Sequence, residues 1–142
     1  MINKKQIVEE CRKYFETKNI DFVYLFGSFA DGSFNKMSDI DLAVHYRQEP
    51  VLTEMGMEIY GLEKILKCDI DLIVLNDLFL TKPGFVYNII SQGELILNKN
   101  NIQLIEYRTR CYINYFDTQY LRTQTNNALL ERITSKTFAL KG

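Results

Sequence analysis

The chain has 142 residues, with 17 Lys plus Arg against 18 Asp plus Glu, a net charge of −1 and 46% hydrophobic residues. That length and composition suit one globular domain spanning 1–142 and argue against disorder, while the charge balance excludes a broad basic surface for nucleic acid or anionic membrane. One histidine and no Cys-x-x-Cys exclude a zinc ribbon and any mechanism needing two histidines.

Three separated cysteines suit reduced thiols in the cytoplasm. Met1 to Glu10 is too polar for a signal peptide, and no apolar run reaches the ~18 residues that crossing a membrane requires. A cytoplasmic location follows as the expectation.

Residues 3–18 predict a helix, because Ile7, Val8, Cys11, Tyr14 and Phe15 recur at spacings of three and four. Asn19 is its expected stop. Phe22 to Phe26 is a continuous apolar run that reads as a buried central strand. Gly27 to Lys36 has loop composition. From Asp39 to Tyr46 the residues alternate, predicting a strand with Ile40, Leu42, Val44 and Tyr46 on its one apolar face.

A helix is expected over Val51 to Lys67, with Leu52, Met55, Ile59, Leu62 and Leu66 on one side. Asp69 to Leu75 predicts another strand, burying Ile70, Leu72 and Val74. Pro83 suits the opening turn of a short helix through Ile90, and Leu95 to Leu97 is a short strand. Residues from about 101 to 133 read as one or two tyrosine-rich helices.

The chemistry concentrates in Gly27-Ser28, ten intervening residues, then Asp39-Ile40-Asp41. Residues i and i+2 of a strand share a face. Two ionised carboxylates so placed repel by about 2–3 kcal/mol at an effective dielectric constant of ~20. Plain solvent offers no return for that arrangement, whereas Mg²⁺ takes carboxylate oxygens and keeps phosphate and water as its other ligands. Two such ions, about 3.5–4 Å apart, can clamp both oxygens of a phosphoryl transfer.

Glycine lets backbone approach a phosphate, and Ser28, as an expected N-cap, would start a helical turn with free N–H groups. Asp71, on the next acidic strand, is the candidate third carboxylate; Asp69 shares its face and is the rival. Gly-Ser alone is ordinary turn chemistry, and Asp-x-Asp alone is ordinarily a solvated strand face. The joint pattern arises by chance in roughly a fraction of a percent of chains this long.

The strings Leu25-Phe26-Gly27-Ser28-Phe29-Ala30-Asp31-Gly32, Ser38-Asp39-Ile40-Asp41-Leu42 and Ile70-Asp71-Leu72-Ile73-Val74-Leu75-Asn76-Asp77-Leu78 resemble the minimal nucleotidyltransferase (MNT) branch of the DNA polymerase β-like superfamily. The likeness covers about residues 5–98. It implies an α/β (α+β) nucleotidyltransferase fold, a small mixed sheet flanked by helices with further C-terminal helices.

The resemblance also implies Mg²⁺, two ions on Asp39, Asp41 and Asp71, and ATP; Gly27 and Ser28 are expected to steady its phosphates, with Ser38 and Lys36 as helpers. Members of this branch commonly act as antitoxins beside a HEPN-domain ribonuclease toxin, and MntA-type members transfer AMP to a toxin tyrosine. Such a toxin is therefore the expected partner, in a hetero-oligomer, with no membrane and no direct nucleic acid. Many relatives carry a basic residue where this chain has Asp31; Lys36, in the same loop, is the expected compensation.

Two other functions remain as alternatives: a non-catalytic antitoxin that occludes its toxin, and a small-molecule nucleotidyltransferase of the aminoglycoside-modifying kind. The chain has little room for the extra domain that the latter needs. A ribonuclease is disfavoured, since HEPN nucleases place an arginine a few residues before a histidine and none precedes His45.

His45 continues the parity of Asp39 and Asp41, so it is expected half-exposed or bordering the site. Cys11 and Cys111 occupy apolar helical positions and read as structural. Tyr107, Tyr112, Tyr115, Phe116 and Tyr120 lie among Arg108, Arg110 and Arg122. That stretch reads either as a helix packed on the sheet or as a partner-binding surface.

Overall fold

A computed structural model describes residues 3–32, 38–119 and 121. Lys36, Tyr120, Arg122 and the Asp31 side chain fall outside these, as does the expected helix beyond residue 121.

The first helix, α1, spans Lys4–Glu16. Asn3 opens it with a reciprocal cap: its side chain accepts from the Gln6 N–H at 2.9 Å, and the Gln6 side chain accepts from the Asn3 N–H at 3.1 Å. Ile7, Cys11 and Phe15 form its buried face, and Thr17, not Asn19, caps its end.

The chain then enters β1, Ile20–Phe26, whose first six residues are all buried. That continuous burial follows from its place in the sheet. The order is β3-β2-β1-β4, with β2 spanning Ile40–Tyr46, β3 Ile70–Val74 and β4 Glu94–Asn98. β1 pairs antiparallel with both β2 and β4, while β2 and β3 are parallel. A parallel pair needs a crossover, and α3, Leu52–Leu66, provides it. Leu62 and Leu66 are buried beneath α3, but Leu52 is 82% exposed and takes no part in the expected apolar face.

Two turns of helix were not legible in the pattern. α2, Ser28–Asp31, interrupts the expected loop after β1, and α4, Leu78–Thr81, precedes α5, Pro83–Gln92. A single turn is too short to show helical periodicity. A long helix, α6, occupies residues 101–119.

Helices cover the sheet on both sides. Ile7, Phe15, Leu62 and Leu66 pack with Val23, Leu25, Leu42 and Val44 on one side. Val86, Ile89, Leu104, Tyr107 and Cys111 pack with Phe22, Tyr24 and Ala43 on the other. The single apolar face expected for β2 is thus only half of its burial: Ala43 has no exposed surface. Cys11 and Cys111 are both buried and free, in keeping with their helical positions.

His45 differs from expectation for the same reason. It neither borders the carboxylates nor stands half-exposed; its side chain is only 12% exposed. Its ring stacks on Phe22 at 4.8 Å between centroids and meets Tyr107 edge-on at 5.1 Å. Its Nδ1 lies 2.9 Å from Oδ2 of the buried Asp21. A carboxylate only accepts, so Nδ1–H is the donor. Burial lowers the imidazole pKa despite the opposing pull of Asp21, leaving a neutral ring at pH 7.

No helix among the described residues is long and apolar enough to cross a membrane.

Candidate active site

β1 ends at Phe26, and the chain turns at Gly27 with φ 74° and ψ −152°. This region of backbone space is essentially closed to residues with a Cβ. Gly27 itself is the N-cap residue of α2, and Ser28 is the first residue of the turn, so Ser28 does not have the capping role expected of it. The Ala30 N–H donates to the Gly27 carbonyl at 3.1 Å. Gly32, at φ 84° and ψ 4°, ends the turn in the left-handed conformation.

The turn is anchored from below. Phe29 is 2% exposed within the α1–α3 side of the core. Lys4 Nζ donates to the Ala30 carbonyl at 3.3 Å and pairs with Glu94 at 2.8 Å. The loop that follows β1 is therefore tied to both α1 and β4.

The next strand brings the carboxylates. Asp39 is exposed just before β2, Ser38 is half-buried beside it, and Asp41 is half-buried in the strand. In the sheet register Asp41 stands opposite Phe26 on one side and Asp71 on the other. Adjacent strands lie about 4.8 Å apart, so Asp41 and Asp71 are immediate neighbours in the backbone. Asp69 is exposed and lies before β3; its carbonyl accepts from the Ile40 N–H at 2.9 Å. Of the two candidates for the third carboxylate, only Asp71 is paired across the sheet with Asp41.

Burial pushes the Asp41 pKa up, and the charges of Asp71 and then Asp39 push it further. No cation among the described residues forms an ion pair with any of the three. Nor are three His, Cys, Asp or Glu side chains among the described residues gathered as a metal-holding group. The donor chemistry fits a hard cation all the same. It offers carboxylate oxygens only, mutually repelling, at a solvent-open edge where water and phosphate oxygens can fill the remaining ligand positions.

A cleft of about 220 Å³ opens beside Gly27, between the end of β1 and α5. Phe85, Asn88 and Gln92 of α5 line it. Sequence reading missed these residues, because a polar stripe on a helix resembles any solvated face. A larger groove, about 610 Å³, lies beyond the other end of β2 near Tyr46 and Glu58, away from the carboxylates.

The model of the family described as polymerase beta, nucleotidyltransferase, matches residues 9–102. No curated protein is matched by the sequence. Among solved structures, the fold is similar to a chain of a toxin–antitoxin crystal structure with AMP-PNP. That chain is 20% identical, with 91% of this chain and 99% of the other covered and a TM-score of 0.68. It is also similar to a chain from a Shewanella oneidensis structure of a tri-AMPylated HEPN toxin in complex with an MNT antitoxin. There the identity is 17%, the coverage 89% and 98%, and the TM-score 0.66. A chain of a MntA-HepT toxin–antitoxin structure is likewise similar, at 17% identity, 89% and 98% coverage and a TM-score of 0.65. The family match spans well over half of the sequence, from α1 through both acidic strands to β4, and on that ground the chain belongs to the polymerase beta nucleotidyltransferase family.

Proposed function

We infer that this protein is an MNT-type antitoxin that transfers AMP from ATP to a tyrosine hydroxyl of a HEPN ribonuclease toxin, neutralising it. The observation that carries the reading is the Asp41–Asp71 pair set in register beside the Gly27-Ser28 turn. The similarity to chains from structures of a toxin–antitoxin with AMP-PNP and of an AMPylated HEPN toxin with an MNT antitoxin supports a HEPN toxin as the partner that receives AMP.

In this reading Asp39, Asp41 and Asp71 hold Mg²⁺. When bound, the metal neutralises triphosphate charge and makes the α-phosphorus more electrophilic. Gly27, lacking a Cβ, lets the Asp41 carboxylate lie against the turn, so that the phosphates sit beside both. Ser28 offers its hydroxyl to the leaving pyrophosphate, with Ser38 and Lys36 assisting. Asp71 faces the acceptor side, where it serves as a metal ligand or takes the tyrosine proton. The tyrosine oxygen attacks the α-phosphorus, the bond to the β-phosphate oxygen breaks, and pyrophosphate departs. The chain contributes mainly position and charge neutralisation.

The outer face of α6 fits a protein partner. Ile102, Ile105, Ile113 and Phe116 are 71%, 56%, 56% and 53% exposed along it. Such an apolar stripe on a charged-to-neutral surface marks an interaction face.

Intact mass of the partner toxin after incubation with this chain and Mg·ATP tests the assignment. A gain of one or more AMP units is expected. An unchanged mass together with loss of toxin activity would replace it by the occluding antitoxin.

A further inference from the structure

We propose that Asn88 and Gln92, on the open face of α5, read the nucleobase of the bound triphosphate and select adenine. The inference rests on the nucleotidyltransferase reading above and names what that site distinguishes. Gly27 lines the cleft beside α5 and also abuts the Asp41 carboxylate. A nucleotide whose phosphates lie over the Gly27 turn therefore has the cleft within immediate reach of its other end. The cleft, about 220 Å³, is smaller than the ~300–1,000 Å³ typical of whole-ligand pockets. It suits one planar group rather than an entire nucleotide.

Its lining has the two elements that base recognition uses. Val86, Ile89 and Ile90 turn into the core, which leaves Phe85, Asn88 and Gln92 at i, i+3 and i+7 along the open side. Phe85 is 40% exposed and meets Phe26 edge-on at 6.0 Å, so its ring offers a face on which a base stacks. Asn88 and Gln92 each carry an NH₂ donor group and a carbonyl acceptor on a planar amide. That pairing matches N6–H₂ and N7 on one edge of adenine, whereas guanine presents the acceptors O6 and N7 on the same edge, which Arg or Lys reads. Neither Arg nor Lys lines the cleft among the described residues.

Equilibrium binding on the full chain with Mg²⁺ tests this, comparing ATP, GTP, CTP, UTP and inorganic tripolyphosphate. The wild type is expected to prefer ATP. Asn88→Ala and Gln92→Ala, both at exposed positions, are expected to weaken ATP about tenfold or more, singly or together, and to leave tripolyphosphate binding unchanged. A wild type that binds all four nucleotides equally overturns the proposal, as do variants that retain the wild-type ratio. In both cases the phosphate site stands. If the wild type binds neither nucleotide nor tripolyphosphate, the proposal falls together with the nucleotidyl-transfer reading.

Discussion

The carboxylate of Asp41 occupies the space that a side chain at Gly27 would need. A Cβ built on Gly27 would come within 3.1 Å of Asp41 Cγ and closer still to Oδ2. Two constraints therefore meet at one residue: a backbone conformation that only glycine adopts freely, and the carboxylate proposed to bind metal pressed against bare backbone. Strand pairing creates the contact, since Phe26 and Asp41 are register partners and Gly27 is the next residue on.

Gly27→Ala should consequently damage both fold and site. Backbone strain of this kind costs about 1–3 kcal/mol, and for a chain this long about 1 kcal/mol corresponds to a Tm change of roughly 3–4 °C. A Tm lower by about 3–12 °C, with nucleotide binding lost at temperatures where the variant remains folded, is the expected result of thermal melts and ATP titrations. A variant as stable as wild type that binds ATP normally would show that neither constraint operates.

Asp41 should make stability depend on pH and on Mg²⁺. Its folded pKa is raised, so the folded state holds more protons than the unfolded state between the ordinary value of 3.8 and the raised one. Without metal, stability should fall as pH rises through that window and stay lowered above it. Asp41→Asn should then be more stable than wild type in EDTA at pH 7, and Mg²⁺ should raise the wild-type Tm more than the variant's. Melts from pH 3.5 to 7, with and without Mg²⁺, decide this; equal Mg²⁺ responses would remove Asp41 from the metal site.

His45 has the opposite dependence. Its folded pKa is lowered, so its contribution is present above the unfolded value of 6.5 and is lost as pH falls through that value towards the lowered one. Replacing it with Gln should flatten the stability profile in that range while leaving AMP transfer intact, because the ring packs between Phe22 and Tyr107 rather than at the carboxylates. A large loss of transfer by a folded His45→Gln chain would contradict this placement.

Asp71→Asn should reduce AMP transfer by on the order of 10²-fold or more, the scale of losing a preorganised electrostatic group. Asp69→Asn should have little effect, since only Asp71 pairs with Asp41. Rates with labelled ATP compare the two, and a reversed ranking would transfer the role to Asp69. A double change, Asp39→Asn with Asp41→Asn, should abolish labelling.

The α6 stripe gives a separate prediction. Ile105→Asp combined with Ile113→Asp should weaken toxin binding about tenfold or more, as loss of a central apolar contact does. ATP binding should be unchanged, because both side chains point away from the core that Leu104, Tyr107 and Cys111 join. Calorimetry with the partner measures this; unaltered affinity would place the interface elsewhere.

Local sequence was enough to identify α1, α3, α5 and the four strands, because periodicities of 3.6 and 2 record which side of an element is dry and the apolar runs of β1 and β4 stand out between polar turns. It also singled out Gly27, Ser28, Asp39 and Asp41, since that spacing joins a turn to a strand whose parity is a local property. Strand parity alone did not separate Asp71 from Asp69, although the likeness to the MNT branch pointed to Asp71. They share a face, and only the parallel pairing of β3 with β2, a contact between segments 30 residues apart, sets one of them opposite Asp41. His45 was misread for a related reason: its parity is local, but its cover comes from Tyr107 on α6. The sequence by itself determined which groups the chain has available and on which side of each strand they stand. Tertiary structure decided which of them meet, because strand order and helix cover are settled by burying all the apolar faces together.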